Sequence, residues 1–316
     1  MPSEDQTDRF RRDVEALAGA APHRLGLAVS GGPDSLALLL LAHAAFPGEV
    51  EAATVDHRLR ADNAGEAASV AGLCRRLGVP HEILADAPPA GASLQAQARA
   101  LRYRLLLDWA ARRGLPALAT AHHADDQAET VLMRLARGSG LGGLAGVRAS
   151  RIEQGVAILR PLLAWRRGEL AAIVAEAGLD AVDDPSNRSD AHDRTRFRAL
   201  LAASDVLSPR RLAAAAAHLA AAEEALAWAA EREWAARAAR EDGAVTLDVR
   251  GLPPELLRRL AAQAIEAVRG GGDWRRDRLA DALAEVARAG RVTLAGVQVT
   301  AQARWRFEPE PPRRAV

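Results

Sequence analysis

Two rhythms of apolar and polar residues alternate along the first half of the chain. Short apolar runs recur at Arg24–Ser30, Val50–Asp56, Pro80–Ala85 and Pro116–Ala121. Runs of this length, bounded by turn residues, predict buried strands. Between them, helical spacing covers Asp34–Ala45, Ala64–Leu77, Leu94–Arg113 and Ala124–Ala136. Strands alternating with helices predict right-handed crossovers and a Rossmann-like parallel sheet with helices on both faces. Within Leu94–Arg113, the positions of Leu101, Leu105 and Trp109 predict core contacts.

Further along, Ile158–Leu163 reads as a strand, Trp165–Gly178 as a helix, and Asp183-Asp184-Pro185-Ser186-Asn187 as a turn. Gly138–Gly146 reads as a mobile loop able to close over a substrate. The character changes after Pro209. An Ala-rich helix is expected over Arg210–Arg240, then a short strand at Val245–Val249. Helices follow near Pro254–Val268 and Trp274–Ala289, and Arg291–Phe307 alternates as a hairpin. The expected organisation is an α/β domain over 1–206 and a smaller, mostly helical domain with a terminal hairpin over 207–316.

Composition narrows the function classes. A chain of 316 residues fits about two domains. Aromatic residues make up only 3%, so the core must be built from Ala, Leu and Val. No apolar stretch reaches the ~18 residues of a membrane span, and Met1–Arg12 is too polar for a secretory signal. The single cysteine, Cys74, excludes an internal disulfide, a Cys-x-x-Cys pair and a Cys-based zinc site; the expectation is a cytoplasmic protein. A net charge of +1 gives no global nucleic-acid signature, so contact with a polyanion falls to local arginine patches.

The candidate chemistry gathers at predicted strand ends, where ligands bind in open α/β sheets. Ser30-Gly31-Gly32-Pro33-Asp34-Ser35 joins the first strand to the next helix. A Gly-Gly turn at a helix N-terminus brings backbone N–H groups and the positive end of the helix dipole to a phosphate. The serines add hydroxyls, and Asp34 is a candidate metal ligand. The chain contains no lysine, so the Gly-Lys-Ser/Thr loop of common NTPases is excluded. At a second strand end, His122, Asp126 and Glu129 stand at i, i+4 and i+7, one face of a helix suited to an ammonium group or a metal. An exposed acidic helix start would look the same. Arg99 and Arg102 can share a face and clamp a phosphate, and Arg194, Arg196, Arg198, Arg210 and Arg211 form a basic stretch. Both sets read equally as solvated arginine faces.

The Ser30–Ser35 loop resembles that of the PP-loop ATP pyrophosphatases. An ordered series narrows the resemblance to the tRNA(Ile)-lysidine synthetase family. It runs through Val55–Arg60, Ala98-Arg99 with Arg102-Tyr103, His122–Thr130, Arg137–Gly140, Arg160–Leu163, and Asp184–Asn187 with Arg194 and Arg198. At position 195 the chain has Thr where the family often shows Asn. The resemblance implies ATP-dependent joining of L-lysine to the wobble cytidine of the CAU anticodon of isoleucine tRNA. AMP and pyrophosphate are released by way of an adenylated cytidine. It implies ATP at Ser30, Gly31, Gly32, Pro33, Asp34 and Ser35, with Mg²⁺ on Asp34. Lysine falls to His122, Asp126 and Glu129, and the α-phosphate or adenylated base to Arg102. The tRNA falls to Arg194, Arg196 and Arg198 and to the C-terminal domain. A membrane partner is not expected, and the oligomeric state stays open, a homodimer being one option. A tRNA thiolase on the same loop would call for paired cysteines or a cluster, an amide-forming ligase for an ammonia source. A nucleotide sensor would need neither the Asp126/Glu129 face nor the basic stretch.

Overall fold

The computed structural model describes residues 1–58, 62–87, 94–179, 192–272 and 274–311. The turn predicted over 183–187 lies outside them. Chain packing divides the molecule into two units, Met1–Ala220 and Ala221–Val316.

The first unit is built on a six-stranded sheet. Its strands are β1 (Leu25–Ala28), β2 (Val50–Asp56), β3 (His81–Ala85), β4 (Ala117–Ala119), β5 (Ser150–Glu153) and β6 (Val156–Leu159), in spatial order β3-β2-β1-β4-β6-β5. All pairings are parallel except that of edge strand β5, which runs antiparallel to β6. The predicted Rossmann-like sheet is therefore present, with a hairpin at one edge that the apolar pattern did not announce. The strand order turns outward on both sides of β1. Its C-terminal end lies at a switch point, the crevice where such sheets take ligands.

Packing explains why these segments hold. Helix α2 (Pro33–Ala45) is apolar almost all round and buried from Leu36 to Ala42, as expected of a helix enclosed by neighbours. It packs against α1 (Glu4–Ala18) and α7 (Arg167–Glu176). Phe10, Val14, Leu170 and Ile173 join its core. Helix α4 (Leu94–Arg113) contributes Tyr103, Leu106, Leu107 and Trp109 to a second cluster with Leu118 and Ile158. Gly26 permits that approach: a Cβ there would stand 3.0 Å from the Trp109 ring. Leu101 and Trp109 are buried and Leu105 partly so, as their spacing predicts. Helices α3 (Asp62–Leu77), α5 (Ala124–Ala136), α6 (Leu141–Leu144) and α8 (His192–Ala203) complete the elements that matter for the site.

In the second unit, the alternating C-terminal segment does more than form a hairpin. Strands β7 (Ala238–Glu241), β8 (Ala244–Leu247), β9 (Arg291–Leu294), β10 (Val297–Thr300) and β11 (Trp305–Pro309) make a five-stranded antiparallel sheet, ordered β7-β8-β11-β10-β9. Helices α10 (Pro254–Arg269) and α11 (Leu279–Ala289) bury Leu260, Ile265, Leu283 and Val286 in a core with Val299 and Phe307. Helix α9 (Pro209–Arg237) begins in the first unit; its part within the second carries Glu223, which accepts two hydrogen bonds from Arg259 at 2.9 and 2.6 Å. No helix among the described residues is long and apolar enough to cross a membrane.

Candidate active site

The loop between β1 and α2 is folded around one hydroxyl. Ser35 Oγ accepts hydrogen bonds from the backbone N–H groups of Ser30 and Gly31, both at 3.1 Å, and donates to the Gly32 carbonyl at 2.9 Å. Gly31 has φ of +91°, a conformation that L side chains rarely adopt. Gly32 is the N-cap of α2 and supplies no side-chain cap. The first N–H groups of this helix therefore face the crevice with the positive end of its dipole, an anion site made by backbone geometry. The Ser35 hydroxyl, read from sequence as a phosphate donor, serves the loop itself. Gly31 also lines a cavity of about 360 Å³ with Val70, Leu73, Arg76 and Leu179.

Asp34 projects from the first turn of α2. Its Oδ1 is buried without a hydrogen-bond partner among the described residues, and its Oδ2 lies 3.4 Å from His123 Nε2. The same imidazole nitrogen stands 3.5 Å from Asp126 Oδ2. His123 is the N-cap of α5. Its Nδ1 accepts from the Asp126 N–H at 3.4 Å, and its own N–H donates to Asp126 Oδ2 at 3.2 Å. In the neutral ring, with Nδ1 accepting, the proton sits on Nε2, between two carboxylates. Burial works against a charged imidazole, but the hydrogen bond to Asp34 and the charges of Asp126, Asp34 and Asp125 together hold its pKa above the ordinary histidine value.

The neighbouring His122 behaves oppositely. Burial, with help from Arg160, Arg99 and Arg194, outweighs the pull of Asp126 and pushes its pKa down to about 4. The ring is therefore neutral at pH 7, with Nδ1 3.1 Å from the Thr120 hydroxyl. Asp125 is taken up by structure: it accepts from the Arg166 side chain and from the Arg167 N–H at 2.9 Å.

Glu129 lies deepest, 3% exposed. Helix α8 clasps it with two guanidinium groups, Arg198 Nε at 2.8 Å and Arg194 Nε at 3.1 Å. Arg194 Nη2 also stands 3.9 Å from Asp126 Oδ1. Arg196, on the same helix, is exposed. Arg102 donates to His57 Nε2 at 3.4 Å. Tyr103 carries Arg99 and Arg151 against its ring, at 5.2 and 4.9 Å, and receives a hydrogen bond from the buried Arg160 at 3.3 Å.

The structure thus joins the two motifs that sequence placed at separate strand ends, through Asp34, His123 and Asp126. Sequence reasoning missed His123. Its signal was positional: it immediately precedes the first helical residue, with an acid three residues on, the pattern of a capping box. The glycine-rich segment after α5 is not a loose flap. Gln127 pairs with both backbone groups of Val147, at 2.8 and 2.6 Å, and Arg134 donates to the carbonyls of Gly143 and Gly146. A magnesium ion, implied only by resemblance, is compatible with the orphaned Oδ1 of Asp34, since Mg²⁺ is commonly held by one or two carboxylates plus substrate phosphates.

The chain resembles known proteins over most of its length. A PP-loop domain model matches residues 4–204. The chain is 46% identical to a tRNA(Ile)-lysidine synthase of Novosphingobium aromaticivorans, over 97% of this chain and 94% of that protein. It is also 46% identical to one of Zymomonas mobilis subsp. mobilis, over 94% and 92%. Among solved structures, a U34-tRNA thiolase, NcsA from Methanococcus maripaludis, superposes with a TM-score of 0.57. It is 16% identical, over 68% of this chain and 78% of that one, a likeness of fold.

Proposed function

This chain belongs to the tRNA(Ile)-lysidine synthase family, and from that membership we propose that it joins L-lysine to the wobble cytidine of an isoleucine tRNA with a CAU anticodon. Membership makes it an ATP-using, tRNA-modifying enzyme of ligase type. One observation supports the finer reading most. The anion-binding turn and the acidic helix meet, Asp34 Oδ2 and Asp126 Oδ2 lying 3.4 and 3.5 Å from the same nitrogen of His123. An enzyme that activates an oxygen with ATP and then admits an amine needs a phosphate site and an ammonium site side by side.

In this reading the cytidine C2 oxygen attacks the α-phosphate of ATP and pyrophosphate leaves toward the turn from Ser30 to Ser35. Backbone N–H groups at the start of α2 face the developing charge, the preorganised stabilisation that costs no reorganisation during reaction. Asp34 would hold Mg²⁺, which when bound supplies Lewis-acid charge neutralisation at the phosphates. The ε-ammonium of lysine gives up a proton to solvent, the free amine attacks C2, and AMP departs with the former C2 oxygen. Asp126 attracts the ammonium and orients it. His122, held neutral, adds no cation beside it. A group with pKa of about 4 is a weak base, so its part is orientation rather than proton abstraction. Arg102 faces the α-phosphate or the adenylated base. Of the α8 arginines, Arg196 takes the tRNA backbone, while Arg194 and Arg198 pair with Glu129.

The test of the first half-reaction is pyrophosphate exchange into ATP without lysine. Exchange that requires the CAU transcript supports an adenylated cytidine. Exchange without tRNA, or none with it, contradicts the scheme. A thiolase chemistry is disfavoured by the chain's one cysteine: Cys74 is fully buried, and burial pushes its thiol up to about 11.

A further inference from the structure

We propose that Arg99, Arg151 and Arg160 form a second phosphate site, distinct from the turn at Ser30–Ser35, that holds a phosphodiester of the RNA beside its reacting nucleotide. The proposal rests on the reading that an RNA is the substrate. Arg160 directly follows β6 and is 3% exposed. Its Nη1 donates to the Arg148 carbonyl at 2.7 Å and its Nη2 to the Tyr103 hydroxyl at 3.3 Å. Both acceptors are neutral. Its Nε is buried and has no hydrogen-bond partner among the described residues, and no carboxylate among them pairs with this guanidinium. A buried cation without a counter-charge is costly, and a bound anion removes that cost. Two more guanidinium groups lie against the Tyr103 ring, Arg99 at 5.2 Å and Arg151 at 4.9 Å. Arg151 gives Nη2 to Glu153 at 2.6 Å, and its Nε is also buried without a partner among the described residues. Three cations thus gather on one tyrosine with a single carboxylate among them.

The place of the cluster favours RNA over ATP as the source of the phosphate. Strands β1, β4 and β6 are successive neighbours, so at roughly 4.8 Å per strand the end of β6 stands about 10 Å from the end of β1. Leu118 and Ile158 pack with α4, whereas Ala117, Ala119 and Leu159 pack with α2. Alternation along a strand therefore puts α4, which carries Arg99 and Tyr103, on the sheet face opposite α2. The turn that starts α2 and the arginine cluster flank the reaction centre from different sides, and the charges of Arg160 and Arg99 are both felt at His122 between them. Arg102, one helical turn from Arg99, goes instead to His57. On the outer side the sheet edge is open: Arg148, Ser150 and Ile152 are exposed, so a polymer can run across it. Arginine suits this task because its planar fork meets phosphate oxygens two at a time.

The test uses CAU tRNAs ligated from two pieces, so that one chosen anticodon-loop phosphate is replaced by a neutral methylphosphonate. Binding is read by fluorescence anisotropy over a range of salt, and ATP affinity by calorimetry. For the wild-type protein, neutralising a phosphate next to the wobble nucleotide should weaken binding about 10-fold or more, the worth of a charge-assisted hydrogen bond. Arg99→Ala should weaken binding of unmodified tRNA by about three- to tenfold, reduce the salt slope by about 0.7, and leave ATP affinity unchanged. In that variant the methylphosphonate should cost less than about threefold, because the two changes remove the same contact. Tyr103→Phe, which deletes only the hydroxyl that holds Arg160, should show the same non-additivity with a smaller loss. A wild type indifferent to every anticodon-loop phosphate overturns the site. So do variants that keep the full methylphosphonate penalty, the signature of merely structural arginines. Lost ATP affinity with intact tRNA binding assigns the cluster to the nucleotide and overturns the RNA assignment. The expected phosphate dependence without any joining of lysine supports the cluster and overturns the proposed reaction instead.

Discussion

Asp34 Oδ2 lies 3.4 Å from His123 Nε2, and this contact connects the loop after β1 to the helix after β4. Replacing His123 by Asn separates its two roles. Asn is a favoured N-cap, so α5 should keep its start and thermal stability should fall by less than about 1 kcal/mol. The link from Asp34 to Asp126 is lost, and turnover should fall about 10- to 100-fold, the usual cost of removing a partner that orients a ligand-holding carboxylate. Unfolding curves and steady-state rates on one preparation check this; near-normal turnover would mean the bridge is incidental.

The phosphate loop makes a second prediction. Ser35→Ala leaves the Ser30 and Gly31 N–H groups without their shared acceptor and should cost about 1–3 kcal/mol. Gly31→Ala forces a side chain into φ of +91° with Val70 Cγ2 3.4 Å from the new Cβ, and should cost about 1 kcal/mol or more. Both should weaken ATP binding measured by titration calorimetry. A stable Gly31→Ala protein with unchanged ATP affinity would contradict the account of the turn.

His122 predicts a pH effect whose sign follows from its depressed pKa. Unfolded, its imidazole takes a proton near pH 6.5; folded, it does so only at about 4. Between those values the unfolded state binds more protons, so this residue makes stability fall as the pH drops. In His122→Asn that contribution is absent. Denaturant unfolding from pH 7 to pH 4 should therefore show a shallower acid-side loss in the variant than in wild type. Parallel curves would place His122 in solvent.

Cys74 is buried within the α/β core, with its thiol pushed up to about 11 by burial. A thiol reagent at pH 8 should label it only as fast as the protein unfolds, and fully in denaturant. Rapid labelling of the native protein would show an opening that the packing does not suggest.

What sequence could reveal followed the strength of each local signal. Apolar runs such as Leu25–Val29, and the enclosed helix from Pro33 to Ala45, are legible because burial on all sides leaves few polar positions. Edge strand β5, Ser-Arg-Ile-Glu, is half exposed, and Ala-Ala-Arg-Glu in β7 has no apolar face to announce it. Their pairing is set by neighbours rather than by their own residues. At the site, helical spacing put His122, Asp126 and Glu129 on one face and passed over His123. The spacing rule fails at both histidines: α5 begins at Ala124, His123 is its N-cap with extended backbone, φ of −127° and ψ of 179°, and His122 precedes the helix rather than sharing a helical face with Asp126 and Glu129. The clasp of Glu129 by Arg194 and Arg198 was likewise invisible, since no local spacing rule links side chains as far apart in the chain as Glu129 and Arg198.

Incorporation of radiolabelled lysine tests the central claim most directly. Purified protein with ATP, Mg²⁺ and an isoleucine tRNA transcript carrying CAU should bind about one lysine covalently per tRNA at completion. A transcript with a changed wobble base should take none, and Asp34→Ala should abolish the reaction. Label left entirely in free lysine with the wild-type protein, or incorporation undiminished by Asp34→Ala, would contradict the account.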